Sequence, residues 1–212
     1  MNLLGDLDAI IFDLGGVIVN LDYGLTIKAF SELAGYDVSQ QYSQQRQADI
    51  FSKFEVGSIT TAEFRHGLMQ LLNFEATDKA IDQAWSALIL DFPPERVELV
   101  RQLSQKKRIF LLSNINELHL ATSDLKFTEA MGYDIGTLAE QFERAYYSHL
   151  VRDRKPNPSI FQRVIDENNL DPDKTLFLDD TAHNLVGAQQ VGLKTMHITH
   201  KHPIESLNLL NL

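Results

Sequence analysis

The sequence predicts an α/β fold, a doubly wound parallel sheet with a block of helices inserted after its first strand. Three observations carry this: five short apolar runs, amphipathic helical patterns between most of them, and one long stretch after the first run that reads as helix only. Strands alternating with helices assemble as parallel β-α-β units.

The apolar runs are Ala9–Phe12, Ile109–Leu112, Ala145–Tyr147, Thr175–Leu178 and Lys194–Ile198. Each is too short for a helix, rich in β-formers and bounded by polar or turn residues, so each is predicted as a strand. After the first, helical patterns cover Leu25–Leu33, Tyr42–Phe54, Ala62–Leu72 and Asp78–Leu88. In the third of these Phe64, Leu68, Leu71 and Leu72 share a face. An insertion of roughly seventy residues is too long for a crossover, so it is expected to form its own small helical unit. Phe92-Pro93-Pro94 marks the return to the sheet. Pro94 starts a helix through Val97, Leu99, Val100 and Leu103, and Pro158 starts another through Ile160, Phe161, Val164 and Ile165. A third runs from near Thr181 to Gly192, a C-terminal cap. The expected division is therefore a core of residues 1–20 and 91–212 and a helical unit of residues 21–90.

Composition narrows the chemistry. The formal net charge is −10, which repels a nucleic-acid backbone or an anionic membrane. No cysteine is present, so thiolate metal sites and disulfides are excluded. Asp6, Asp8 and Asp13 interrupt the N-terminal apolar stretch, which reads as neither a signal peptide nor a membrane span. A cytoplasmic enzyme is the expectation, and the sequence sets no oligomeric state.

Three strands end alike: the first runs into Asp13, the second into Ser113-Asn114, the fourth into Asp179-Asp180. In an open parallel sheet the carboxyl ends of the strands share the edge where ligands bind. Parallel strands thus bring Asp13, Ser113, Asn114, Asp179 and Asp180 together, and the loop after the third strand adds Arg152, Arg154 and Lys155. Three close carboxylates repel unless a divalent cation holds them. Oxygen ligands favour Mg²⁺, which takes few protein ligands together with the substrate's own phosphate. A carboxylate attacking phosphorus gives an aspartyl phosphate, and a metal and a lysine stabilise the phosphoryl group in transfer. The set suits phosphoryl transfer better than acyl chemistry.

These residues resemble the motifs of the haloacid dehalogenase superfamily of hydrolases. The first motif is Phe12-Asp13-Leu14-Gly15-Gly16-Val17, the second Leu112-Ser113-Asn114, the third Arg154-Lys155-Pro156 and the fourth Leu178-Asp179-Asp180 with Asn184 following. The insertion resembles the helical C1 cap of that superfamily, and Phe54-Glu55-Val56-Gly57-Ser58-Ile59 its usual turn. Asn184-Leu185-Val186-Gly187-Ala188, followed by Gly192, is similar to the subgroup of bacterial sugar-phosphate phosphatases of the glucose-1-phosphate phosphatase type.

The resemblance implies a Mg²⁺-dependent phosphatase acting on a small phosphorylated metabolite. Asp13 would be nucleophile and metal ligand, the Gly15 carbonyl a second ligand and Asp180 a third, with Asp179 binding through water or orienting the shell. Ser113 and the Asn114 backbone would hold the phosphoryl group, and Lys155 would neutralise it together with Asp13. Asn184 stands where many relatives carry an acid.

Gly15 occupies the position of the acid that protonates the leaving group in many of these phosphatases, help worth about 10²–10⁴-fold in rate. Three readings stay open: a phosphatase using water, another side chain or an easily expelled leaving group, a 2-haloacid dehalogenase needing no proton, or a weakly catalytic protein binding a phosphometabolite or a partner. The Asp179-Asp180 pair argues against the second. Among other residues, His197, His200 and His202 are read as structural or surface groups, Arg152 and Arg154 as surface charges, and Trp85 as packing. Arg46, Arg65 and His66 lie on the insertion without a pattern that selects them.

Overall fold

The computed structural model describes residues 7–45 and 49–211. Its sheet has five parallel strands, β1 (Ala9–Phe12), β2 (Arg108–Ser113), β3 (Arg144–Tyr147), β4 (Thr175–Asp179) and β5 (Lys194–His197), in the order β3-β2-β1-β4-β5. Phe12 pairs with Leu111 on one side and Leu178 on the other, so β1, β2 and β4 end nearly level. That register places Asp13, Ser113 and Asp179 on one edge.

Both faces of the sheet are covered, which explains why the strands read as continuous apolar runs. Side chains alternate along a strand. Ile10 and Phe12 pack with Leu111 and Leu178 in one buried cluster, Ala9 and Ile11 with Phe110 and Phe177 in the other. Helices α6 (Pro94–Ser104) and α7 (Glu117–Met131) contribute to the first layer. The short α8 (Ser148–Val151) follows β3, and α9 (Pro158–Asn168) and α10 (Ala182–Gln190) build the second layer.

Between β1 and β2 lie α1 (Tyr23–Ala34), α2 (Ser39–Gln45), α3 (Asp49–Glu55), α4 (Thr61–Leu71) and α5 (Asp78–Ser86), which bury Phe30, Phe54, Phe64, Leu68 and Trp85 in a third cluster. Their starts are locally encoded: Asp22 caps α1, and Thr60 and Glu63 form a reciprocal capping box on α4. Residues 20–22 and 88–91 form a two-stranded neck, with Asn20 N–H donating to Asp91 O (2.9 Å) and Asp22 N–H to Leu88 O (2.8 Å).

Two sequence expectations change. The helix expected over Tyr42–Phe54 is α2 and α3, with residues 46–48 outside those described. The rings of Tyr42 and Phe51 meet edge to face at 5.8 Å. Nine residues of unbroken helix would separate them by about 13 Å along the axis, so Tyr42 of α2 and Phe51 of α3 belong to two helices that meet in the third cluster. Helix α7 was not expected. Of its side chains only Ser123 and Phe127 are buried, so its apolar periodicity is weak.

Candidate active site

Asp13 follows β1 and Asp179 ends β4, and Lys155, after β3, bridges them. Its Nζ donates to Asp13 Oδ1 and Asp179 Oδ2, each at 2.7 Å. The lysine is 1% exposed and lies over the Phe177 ring of β4, 5.4 Å from its centroid. Asn114 fixes the lysine's backbone from both sides: its Nδ2 donates to Lys155 O (2.8 Å) and its Oδ1 accepts from Lys155 N–H (2.9 Å). The Asn114 side chain is thus engaged in building the site, while Ser113, buried at the end of β2, lines the cavity.

Asp179 is fully buried. Its Oδ1 accepts from Thr181 N–H (2.8 Å), and Asn184 Nδ2 donates to both of its oxygens at 3.0 Å. Asp180 is exposed and accepts from the Thr181 hydroxyl at 3.2 Å. Oxygens of Asp13, Asp179 and Asp180 lie within 4.8 Å of one another. Such an oxygen-only cluster fits a hard divalent cation such as Mg²⁺.

The electrostatics reflect this crowding. Burial pushes the Asp13 carboxyl up to about 8; Lys155 opposes the rise, and Asp179 and Asp180 add to it. Partial desolvation and the Asp179 charge also raise Asp180. Burial disfavours the Lys155 ammonium, but Asp13 and Asp179 outweigh that and its pKa is raised. Three acids against one internal cation leave room for further positive charge.

Two glycines follow Asp13 for different reasons. Gly16 has φ +69°, and a Cβ there would lie 2.3 Å from Asp180 Oδ2. A Cβ on Gly15 would meet only the end of the Leu21 side chain, at 2.7 Å. Gly15 therefore leaves the cavity open, whereas Gly16 lets the backbone pass against Asp180.

The cavity holds about 310 Å³ and is walled by core and insertion together: Asp13, Ser113, Lys155 and Asp180 line it with Glu55, Trp85, Asn116 and His119. Arg154, read from sequence as a surface charge, lines it too. It pairs with Glu55 Oε2 at 2.6 Å and donates to Ser52 Oγ at 3.3 Å, joining the α3 end to the loop before Lys155. Arg152 donates to Gly57 O at 3.1 Å. Arg65 is held within the insertion by Asp82 and Asp78. Arg46 lies outside the described residues, and His66, His200 and His202 are exposed. His197 Nε2 meets Asp180 O at 2.9 Å, which stiffens the site's backbone.

Asn116 and His119 escaped the sequence reading, and Glu55 entered it only as part of the turn at Phe54–Ile59. Asn116 accepts from His119 N–H at 3.0 Å as the N-cap of α7, a helix whose pattern was too weak to reveal it.

The haloacid dehalogenase-like hydrolase family matches residues 7–192. A D-ribitol-5-phosphate phosphatase of Bacteroides thetaiotaomicron is 28% identical over 186 residues, covering 88% of this chain and 89% of that protein. The pyrophosphatase PpaX of Bacillus mycoides is 23% identical over 201 residues, covering 91% and 84%. A solved HAD family enzyme of B. thetaiotaomicron, in complex with magnesium and inorganic phosphate, superposes with a TM-score of 0.81 at 33% identity, covering 91% of this chain and 94% of that one.

Proposed function

The chain belongs to the haloacid dehalogenase-like hydrolase family, and from that premise we propose that it is a Mg²⁺-dependent phosphatase of a small phosphomonoester. The observation that carries this reading is the Asp13–Lys155–Asp179 bridge beside Asp180. Asp13 Oδ1 accepts from Lys155 and from Leu14 N–H (2.7 Å), which leaves Oδ2 to attack phosphorus. The new O–P bond forms as the bond to the leaving alcohol breaks, giving an aspartyl phosphate; water then attacks phosphorus, releasing phosphate and restoring the carboxylate. Lys155 neutralises nucleophile and phosphoryl oxygens, and Ser113 and the Asn114 backbone hold the latter. Asp13, Asp180 and the Gly15 carbonyl would hold Mg²⁺, with Asp179 behind them; the ion supplies charge stabilisation to the transferring phosphoryl group. Gly15 carries no acid, so the departing alkoxide must take its proton from water or another group.

The helices of residues 21–90 serve in this reading as a cap over the core of residues 1–20 and 91–212, excluding bulk water. The cavity volume and the similarity to a D-ribitol-5-phosphate phosphatase support a polyol or sugar phosphate as substrate. Among the described residues no helix is long and apolar enough to cross a membrane, and a cysteine-free acidic chain suits the cytoplasm. The test is Mg²⁺-dependent release of phosphate from p-nitrophenyl phosphate and its loss in Asp13→Asn. Halide release from a 2-haloacid in the presence of a chelator, with no phosphatase activity, would replace this reading with the dehalogenase one.

A further inference from the structure

We propose that Trp85 is the wall against which the substrate's leaving group packs, and that Asn116 and His119 are positioning residues that hold it there. This rests on the phosphatase reading and adds to it the choice of leaving group.

Trp85 sits at the end of α5 and lines the same cavity as Asp13, Ser113 and Lys155. The phosphoryl group is confined to the lysine end, so the alcohol it leaves must occupy the part walled by the insertion. There the indole stacks on the His119 ring of α7, with centroids 4.6 Å apart and planes inclined by 17°.

The hydrogen bonds fix both rings and the histidine tautomer. Asn116 Oδ1 accepts from His119 N–H at 3.0 Å and from Trp85 Nε1–H at 3.4 Å, so the other end of the amide is its NH₂. That NH₂ faces His119 Nδ1 at 3.2 Å, and Nδ1 must therefore accept. The proton is on Nε2, 3.0 Å from Trp85 O, a carbonyl that can only accept. The same carbonyl accepts from the buried Thr26 hydroxyl at 3.2 Å. Trp85 is thus tied to α7 through its indole N–H, its carbonyl and its ring face.

Both ring nitrogens of His119 and the Asn116 amide are engaged inside this network, and so is the indole N–H. Trp85 is 7% exposed and its ring also packs against Phe51 and Phe64, so what it offers the cavity is the remaining strip of apolar ring surface, which suits the C–H-bearing skeleton of a polyol or sugar. A second phosphate, strongly hydrated and anionic, gains nothing there. The wall therefore selects phosphomonoesters of polyhydroxylated alcohols over pyrophosphate.

Trp85 is the chain's sole tryptophan, so its emission reports on this wall without any substitution there. The experiment titrates Mg²⁺-loaded Asp13→Asn protein with a pentitol phosphate, with pyrophosphate and with inorganic phosphate. Calorimetry measures binding in parallel. The pentitol phosphate should change the emission saturably, and inorganic phosphate should reverse that change by competition while causing none alone. Calorimetric binding of the pentitol phosphate with unchanged emission, or the same change with inorganic phosphate, would overturn the proposal.

His119→Ala should raise KM for the pentitol phosphate about tenfold, the scale of one lost packing contact, with kcat held within about twofold. His119→Gln, which keeps a donor for Trp85 O, should recover part of that loss. A fall in kcat at constant KM would sink the positioning role. Should wild-type protein release phosphate from no phosphomonoester, the phosphatase reading itself fails, independently of the fluorescence result.

Discussion

The ammonium of Lys155 lies 2.7 Å from Oδ1 of Asp13, with the lysine almost wholly shielded from water. Their attraction is set against the cost of removing both charges from water, so the intact pair adds little net stability. The two contributions separate on substitution. Lys155→Met leaves Asp13 and Asp179 buried without their cation, which should destabilise the metal-free chain by about 3–5 kcal/mol, the scale of breaking a buried pair. Urea unfolding in chelator measures this, and phosphatase activity should be lost even where Mg²⁺ restores the fold.

The raised Asp13 carboxyl predicts a pH dependence with a definite sign. Its folded pKa of about 8 stands above the ordinary 3.8, so between those values the folded chain binds a proton that the unfolded chain has released. Folding stability from this group is full below about pH 4 and is lost as pH rises towards 8. Metal-free protein should therefore unfold at lower urea at pH 8.5 than at pH 6, and Mg²⁺ should stabilise it more at the higher pH, where it no longer competes with a proton. Asp13→Asn should flatten both trends.

The Asn184 amide donates to both oxygens of Asp179, at 3.0 Å. Asp179 in turn orients Lys155. Asn184→Ala should lower kcat/KM or Mg²⁺ affinity about 10–100-fold, as losses behind a metal site usually do. Steady-state kinetics at several Mg²⁺ concentrations would show which. No change in either would mean that Thr181 N–H and Lys155 hold Asp179 without it.

The legible and illegible parts of this molecule differ in how locally they are encoded. Asp13, Ser113 and Asp179 could be brought together from sequence because each follows an apolar run, and parallel strands share one edge. Lys155 could be grouped with them, but its bridge between two acids depends on Asn114 clamping its backbone, a contact across 41 positions. Trp85, Asn116 and His119 were invisible as a unit. Their association needs α5 against α7, and α7 shows little apolar periodicity because one side chain in its buried pair is a serine. Arg154 was misjudged for a related reason: only the fold brings Glu55 to it.

The Glu55–Arg154 pair joins the insertion to the core beside the cavity, with side chains 24% and 34% exposed. Water screens such a pair, so Glu55→Gln should change stability by less than about 1 kcal/mol. Its effect should fall on the seam instead. Hydrogen exchange over residues 52–57 should quicken, and KM should rise with little change in unfolding midpoint. Unaltered exchange would mean that the Ser148 Oγ and Arg152 donors to this turn suffice to hold it closed.

The two glycines after Asp13, the proposed nucleophile, give opposite expectations from one substitution type. At Gly15 a new side chain meets only the flexible tip of Leu21, and the proposed metal ligand is the backbone carbonyl, which the substitution retains. Gly15→Asp should keep Mg²⁺ binding; complete loss of Mg²⁺ affinity would refute the carbonyl as a ligand. At Gly16 the backbone is left-handed, and a Cβ would press into the Asp180 carboxylate. Gly16→Ala should therefore displace Asp180 and weaken Mg²⁺ binding by at least about tenfold, consistent with disturbed ligand geometry. Calorimetric Mg²⁺ titration of the two variants side by side is the decisive measurement, because the ligand assignments require binding to be retained at Gly15→Asp and weakened at Gly16→Ala.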